Sequence, residues 1–347
     1  MPAFEKRFLT WIEKHLLLLG GIFLTLLGGG LRLALGSLYA QAAGMSDNSL
    51  SMWSGFLTAA TAAFVTAKQQ KDEKRVKSFA VYVILLLSPA GLFSTVVFGS
   101  FGDLSVAAAI LALYFYGGRR FLHAYLCLAL SCFLGVQGLF LLPVFVLLCI
   151  RDEEHDLFCF LIPLAGFGAR LAAGFAGFDL LGEYLPPGFA EKRLYAGFPS
   201  FWAFLNDRAG TPWDYYALGT MMVCLAVLVA FMIFFGKKSR KADPLLLALC
   251  CGLLVTGFLP GLDPAAASVT LIVWLLVVKD VRFILPAVLL EIIGLFPLAA
   301  SAYGEEWLPL SIQWLSVLRI GVSAYLIRLA ALSRGNEKVL DEKRKVC

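Results

Sequence analysis

The chain has 347 residues, of which 60% are hydrophobic and 15% are charged. A soluble protein of this length could not bury so much apolar surface, so the composition excludes a water-soluble domain and indicates an integral membrane protein. The formal net charge of +5 is small, and the positions of the basic residues carry more information than their sum. Basic runs between apolar segments are explained by topology and by anionic lipid, and they give no indication of nucleic-acid binding.

Long apolar runs predict an all-α, polytopic membrane protein that forms a single domain over residues 1–347. The predicted spans, in chain order, are residues 16–35, 50–67, 78–97, 104–117, a two-span hairpin over 121–150, then 157–176, 216–235, 244–260, 265–278, 283–300 and 307–329. This gives about twelve transmembrane helices of roughly the length that a bilayer requires. Acidic residues and the lack of a small-residue cleavage site before the first run favour an uncleaved span over a signal peptide.

The apolar run over residues 121–150 is too long for a single span. As a straight helix it would extend about 45 Å, against about 30 Å for the hydrocarbon core. Both of its flanks, Gly-Gly-Arg-Arg before it and Arg-Asp-Glu-Glu-His-Asp after it, are typical of cytoplasmic loops. Gly135 and Gly138 weaken helix continuity near its middle. We therefore expect a helical hairpin that turns there and returns to the cytoplasm.

The distribution of Lys and Arg sets the predicted orientation. Of the 29 basic residues, 23 lie in or beside segments on one side, three lie within spans, and three lie in the long aromatic-rich loop over residues 178–215. Because positive residues are retained in cytoplasmic loops, that loop is predicted to lie outside. Both termini, including the charged tail over 330–347, are predicted to be cytoplasmic. The outer loops lack Asn-x-Ser/Thr sequons, which is compatible with a bacterial plasma membrane.

Ionisable residues gather on the predicted outer side. The carboxylates Asp47, Asp103 and Asp263 lie at the ends of spans, and Arg32 and Arg170 lie in the outward halves of spans. Charged groups at such depths are costly and are usually functional where they face protein or water. One carboxylate could deprotonate an acceptor hydroxyl while a cation holds a lipid-linked phosphate leaving group. The alternative for each residue is interfacial solvation or, for the arginines, anchoring to lipid head groups.

Two further charged residues lie deeper in their spans. Glu291 and Arg319 fall near the middle of predicted transmembrane helices. A charge in that position costs less free energy when an opposite charge accompanies it, so we expect these two residues to pair with each other.

Four short motifs occur in a fixed order along the chain. They are the bend Phe98-Gly-Ser-Phe-Gly-Asp103, the hairpin tip Gly135-Val136-Gln137 followed by Leu142-Pro143, the outer Ser200-Phe201-Trp202, and Phe258-Leu-Pro-Gly-Leu-Asp-Pro264. This order resembles the GT-C superfamily of polytopic glycosyltransferases, in particular its bacterial branch similar to GPI mannosyltransferases. In that branch the elements read Trp-Gly-Gln-x-Asp, Lys-x-Gln with Leu-Pro, Asn-Leu-Trp, and Phe-Leu-Pro-x-Met-His-Glu-Arg-Tyr. Asp47 and Trp53 also resemble the acidic residue followed by Trp of that branch.

The chain departs from this pattern in several places. The bend has one residue too many between Gly99 and Asp103, Gly135 replaces the Lys of the hairpin, and the His-Glu-Arg-Tyr box reads Asp-Pro-Ala-Ala from Asp263 onward. The sequence also lacks the Tyr-Pro-Pro element that usually follows the first acidic residue. The resemblance therefore supports the fold more strongly than it supports activity.

The resemblance implies a hexosyltransferase of the mannosyltransferase type, acting in the cell envelope. Its donor would be a polyprenyl-phosphate sugar and its acceptor a lipid or glycan, with membrane lipids around it, and a divalent metal ion stays open as a cofactor. Asp47 would be the catalytic base, and Asp103 would support the acceptor or the donor. The implied substrate-binding residues are Arg32, Gln137, Arg170, Trp202 and Asp263. If all three side chains contact one sugar phosphate, Asp47, Asp103 and Arg170 should lie within about 10 Å of one another around one outward-facing cavity.

Two other functions stay open. A catalytically inactive GT-C relative could serve as a partner subunit, which the altered His-Glu-Arg-Tyr box favours. A lipid or glycolipid transporter (a flippase) would place polar residues along a central path, with discontinuous helices in two matching halves. The sequence shows no internal repeat of that kind.

Overall fold

The computed structural model describes residues 19–37, 49–69, 75–96, 100–151, 157–175, 195–204, 243–304 and 308–346, with isolated positions between 217 and 228. Throughout these ranges the regular secondary structure is helical and contains no strand, as the apolar pattern predicts. Among the described helices, three are long and apolar enough to cross a membrane, namely Leu19–Ser37, Val281–Tyr303 and Ile312–Leu332. Several shorter apolar helices pack with them.

The described α-helices are labelled in chain order. They are α1 (Leu19–Ser37), α2 (Ser49–Gln69), α3 (Arg75–Leu87), α4 (Pro89–Val96), α5 (Gly102–Gly117), α6 (Phe121–Leu134), α7 (Leu142–Arg151), α8 (Leu161–Phe175), α9 (Pro244–Phe258), α10 (Thr270–Val277), α11 (Ile284–Tyr303) and α12 (Ile312–Val346). Short 3-10 segments cover Val136–Leu141, Leu157–Phe160, Phe201–Phe204, Pro264–Val269 and Val281–Phe283. These bounds follow most of the predicted spans within a few residues, although α12 continues well into the predicted charged tail.

Helix α1 leaves large apolar side chains on the outer surface of the bundle. Phe23, Leu26 and Leu33 are 66%, 71% and 65% exposed. Water-soluble proteins rarely leave so much contiguous apolar surface in contact with solvent, whereas a bilayer accommodates it. The inward face of α1 carries small residues, and Gly28 packs directly against Leu86 of α3. This asymmetry fits a helix with lipid on one side and the bundle on the other.

Helix α5 lies at the centre of the described bundle. It packs against α2, α6 and the 3-10 segments Val136–Leu141 and Pro264–Val269. Val106, Ala109 and Ala112 are completely buried, and small side chains such as these let neighbouring backbones approach closely. Because α5 is surrounded on all sides, the carboxylate of Asp103 in its first turn is buried as well.

The predicted span over residues 78–97 is a broken helix. Its two halves, α3 and α4, meet at an angle of 50°. Pro89 causes the break, because its ring lacks an N–H group and disfavours helical geometry at the preceding Ser88. The hydroxyl of Ser88 then accepts a hydrogen bond from the backbone N–H of Gly91 (3.0 Å), which caps the new helix start. The predicted span over residues 78–97 therefore consists of two helical pieces, which together are apolar and long enough for one broken span.

The predicted turn within the run over residues 121–150 is confirmed, whereas the crossing of the membrane by its two arms stays a prediction. Helix α6 ends at Leu134, Gly135 is extended, and a 3-10 segment leads into α7. Tyr125 near the start of α6 interacts with Cys149 near the end of α7, so the two arms run in opposite directions. At the tip, a Cβ atom on Gly138 would lie 2.8 Å from the backbone of Ser131, a contact that only glycine avoids.

The two ends of the bundle differ in chemistry. At the end called here the basic end, Lys77 Nζ donates to the carbonyl of Val278 (3.4 Å), and Lys279 forms an ion pair with Asp243. At the opposite end, called the acidic end, lie Asp103 and the turn that contains Asp263. The assignment of the basic end to the cytoplasm stays a prediction from the Lys and Arg distribution.

Candidate functional site

A small polar cavity lies at the acidic end, between α1, α2, α4, α5, α11 and the 264–269 segment. Its volume is about 20 Å³, which is enough for about one water molecule. Three ionisable side chains line it together, namely Arg32, Asp103 and Glu291. They come from three distant parts of the sequence, so the fold itself creates the site.

Arg32 is fixed inside the bundle, with 1% of its surface exposed. Its Nη1 donates to the carbonyl of Leu86 (2.9 Å), and its Cζ lies 5.0 Å from the centroid of the Phe56 ring, within cation–π range. A Cβ atom on Gly55 would lie 2.6 Å from Arg32 Nη2, so this glycine makes room for the guanidinium. Arg32 therefore has a defined position and is not a lipid anchor.

The predicted pair between Glu291 and Arg319 is wrong. Glu291 instead binds the start of α4, the second half of the broken helix. Its Oε1 accepts from the backbone N–H of Ala90 (3.0 Å) and from the hydroxyl of Ser88. Its Oε2 accepts from Trp274 Nε1 (3.4 Å). The exposed N–H groups and the positive dipole end of α4 favour a carboxylate at this point. The depth of Glu291 in its span is thus explained by a backbone partner.

Of the three charged side chains, Asp103 has the fewest hydrogen bonds to the described residues. It is 8% exposed, it interacts electrostatically with both Arg32 and Glu291, and the described residues give its carboxylate no hydrogen-bond donor. The cavity contains further polar atoms that have no hydrogen-bond partner within the described part of the chain. They are Arg32 Nε, Thr58 Oγ1, Ser94 Oγ and Ser268 Oγ. A single polar ligand of the size of water could satisfy several of them together with Asp103.

Gln137 at the hairpin tip lies against the start of α5. A Cβ atom on Gly102 would be 2.8 Å from Gln137 Nε2, and one on Gly135 would be 2.6 Å from Gln137 Oε1. Nearby, Ser131 joins α6 to α5, because its hydroxyl donates to the carbonyl of Ser105 (2.6 Å). The structure therefore places the predicted Gln137 next to the residue that precedes Asp103.

Trp202 and Arg319 belong to a second buried group at the acidic end. Arg319 Nη2 donates to Thr256 Oγ1 (2.9 Å) and its Nη1 donates to the carbonyl of Pro199 (3.1 Å). Its Cζ lies 3.9 Å from the centroid of the Phe198 ring. Trp202 Nε1 donates to the carbonyl of Phe258 at the end of α9. These contacts fasten the 195–204 segment to α9 and α12, and Trp202 does not line the cavity of Asp103.

Asp263 opens the 264–269 segment, which connects the two groups. Asp263 is half-buried, and the partial loss of solvent around its carboxylate raises its pKa to about 6. The next residue, Pro264, lies against Gly197, whose positive φ of 94° suits glycine. Further along, Ser268 reaches the cavity. Asp263 itself is not among the residues that line the cavity.

Arg170 lies apart from this cavity. It is 3% exposed on α8, which packs against α6, and the arginine that lines the cavity with Asp103 is Arg32. Asp47 lies outside the described residues, so its place relative to Asp103 stays a prediction. Within the described ranges, no group of three or more His, Cys, Asp or Glu side chains is placed to hold a metal ion.

Sequence reasoning missed the hydroxyl groups of the cavity and the role of Glu291. The available signal was the pair Ser88-Pro89 in the middle of an apolar run, because a broken helix exposes N–H groups that need an acceptor. A mid-span carboxylate elsewhere in the chain is a natural candidate for that acceptor.

No protein-family model, curated protein or solved structure matches the chain.

Proposed function

We propose that this chain is a multi-pass membrane glycosyltransferase of the GT-C type, with about twelve spans and cytoplasmic termini. In this proposal it transfers a sugar, of the hexose or mannose class, from a polyprenyl-phosphate donor to a lipid or glycan acceptor. The reaction takes place at the acidic end, which faces outward from a bacterial plasma membrane. The observation that carries the proposal is the meeting of Asp103, Arg32 and Gln137 at this one end of the bundle.

The geometry supports a positioning role for Arg32. Its guanidinium is held by the carbonyl of Leu86 and is closed off from solvent, so it acts on Asp103 and does not reach a lipid phosphate. In this proposal the Asp103 carboxyl group forms a hydrogen bond with the sugar or with the acceptor hydroxyl. The catalytic base in this proposal is Asp47, whereas Arg170, buried and apart from the cavity of Asp103, is not assigned to the phosphate.

The test is sugar transfer by membranes that contain the full-length chain, supplied with a radiolabelled polyprenyl-phosphate hexose. Loss of a general base typically lowers a rate by about 10²–10⁴-fold, so Asp47→Asn should abolish measurable transfer, and Asp103→Asn should reduce it strongly. Asp280→Asn is the matched control, because Asp280 lies at the basic end and bonds only to Arg282 among the described residues. Transfer at the wild-type rate by Asp47→Asn would overturn the proposal.

A catalytically inactive partner subunit is the second candidate. The positions that correspond to the His-Glu-Arg-Tyr box are used for packing, since Pro264 lies against Gly197 and Ala266 is 1% exposed. Chemistry at this segment would require polar side chains directed toward a substrate. If a deletion strain is rescued equally well by the wild-type chain and by Asp47→Asn, and no transfer is detected with any donor, the partner role is preferred.

The broken helix gives some support to the transporter alternative. Discontinuous helices with buried carboxylates are common at transport sites, and the α3–α4 break with Glu291 has this form. The cavity beside it is the one that Asp103 also lines, so its volume does not distinguish transport from sugar transfer. Counterflow of a fluorescent lipid in proteoliposomes would distinguish this function from sugar transfer.

A further inference from the structure

A second and much larger cavity lies at the basic end, far from Asp103. Its volume is about 700 Å³, and it is enclosed by the end of α2, the second half of α5, the turn after α5 and the start of α9. Asp103 and Gly117 mark the two ends of α5, and the fourteen steps between them correspond to about 21 Å of helix. Nothing in the proposed glycosyltransferase reaction uses this cavity.

The wall of the cavity combines apolar and polar surface. Its apolar part includes Leu113, Leu245 and Pro244. Two aromatic rings, those of Phe64 and Tyr114, form part of the wall and meet edge to face with centroids 6.0 Å apart. Aromatic side chains are characteristic of the level where a membrane protein passes from hydrocarbon to head groups. Such a lining suits a hydrocarbon chain.

The mouth of the cavity is cationic. Lys68 and Arg120 line it and are exposed, and the described residues offer neither of them an ion-pair partner. The one carboxylate on the lining, Asp243, is already paired with Lys279. Two positive charges are therefore left for a ligand, at the edge of an apolar space.

We propose that this cavity binds an anionic phospholipid. The phosphate of the head group contacts Lys68 and Arg120, and one acyl chain enters the space beside Leu113. Basic pockets between transmembrane helices on the cytoplasmic side are a recurrent form of anionic-lipid site, and the combination of apolar lining and unpaired cations matches an amphiphile better than a free ion. The site is independent of the proposed transferase activity.

The experiment uses the purified full-length protein in detergent and measures retention of phosphatidylglycerol by native mass spectrometry. Phosphatidylcholine serves as the zwitterionic comparison and should be retained weakly. Each cation near a membrane surface contributes about 1 kcal/mol toward an anionic lipid, so the double variant Lys68→Gln/Arg120→Gln should weaken phosphatidylglycerol binding by about 30-fold. The matched control is Lys77→Gln/Arg282→Gln, which removes two charges from the same end without touching the cavity lining and should leave retention unchanged.

A second variant separates the hydrocarbon contact from the charge contact. A Cβ atom on Gly117 would meet no other atom within 4 Å, so Gly117→Phe can fill the cavity without backbone strain while it keeps both cations. We expect this variant to lose phosphatidylglycerol. Full retention by Gly117→Phe would overturn the proposal, and so would equal loss in both double variants. Competition by inorganic phosphate as effective as that by the lipid would also overturn it, because the site would then recognise phosphate alone.

Discussion

Replacement of Glu291 by Ala tests whether a carboxylate stabilises the broken helix. The change removes the acceptor for two donors with fixed positions, the N–H of Ala90 and Nε1 of Trp274. A buried donor that loses its partner costs about 1–3 kcal/mol, which gives about 2–6 kcal/mol for the two. Removal of the negative charge also relieves repulsion with Asp103, which offsets roughly 1 kcal/mol of this loss. We expect a net loss of about 1–5 kcal/mol in the free energy of unfolding.

The assay is unfolding of the purified chain in detergent, followed by tryptophan fluorescence. Glu291→Gln keeps an oxygen for the N–H of Ala90 and should therefore stay within about 1 kcal/mol of the wild type. Ile292→Ala, at the next position and 44% exposed, controls for a change on the lipid-facing side of α11. If Glu291→Ala and Glu291→Gln unfold at the same midpoint, the carboxylate does not act as the acceptor for α4, and this reasoning is refuted.

Three further predictions follow from the same structure. Gly138→Ala should lower the free energy of unfolding by about 1–3 kcal/mol, because the added Cβ atom would meet the backbone of Ser131. The control is Gly168→Ala, where a Cβ atom meets nothing within 4 Å and the effect should be close to zero. Equal unfolding midpoints for the two variants would contradict the hairpin geometry. The pKa of Asp263 is raised to about 6 in the folded chain, so the folded chain binds this proton more tightly than the unfolded chain does. The free energy of unfolding should therefore fall as the pH rises from about 4 to 6. Asp263→Asn should remove this pH dependence, and an unchanged dependence would show that Asp263 is not its source. A cysteine placed at Ala196 should react with an impermeant reagent from outside the cell while one at Gln69 is spared, and the reverse pattern would invert the proposed orientation.

The local features of the fold could be predicted well because their causes are local. The hairpin at Gly135 follows from the length of one apolar run and from glycines at its centre. The central position of α5 follows from a run of small apolar residues beginning at Asp103. The break at Ser88 has a local cause as well, because Pro89 follows it in the middle of the predicted span over residues 78–97.

The partners of the buried charges could not be predicted in the same way. Hydropathy gives the depth of a residue in the membrane, but it does not give the direction in which its side chain points around the helix. Glu291 and Arg319 have similar predicted depths, yet one bonds to the start of α4 and the other to Thr256. The same limit explains why Arg32, and not Arg170, lies in the cavity of Asp103.

The most direct test of the central claim is a cryo-electron microscopy map of the full-length chain with a non-reactive polyprenyl-phosphate sugar analogue. The glycosyltransferase proposal predicts density for the sugar phosphate at the acidic end, within about 10 Å of the Asp103 carboxylate, and density for the first loop with Asp47 beside it. Density for the analogue only in the cavity between Lys68 and Arg120, with none near Asp103, would contradict the claim.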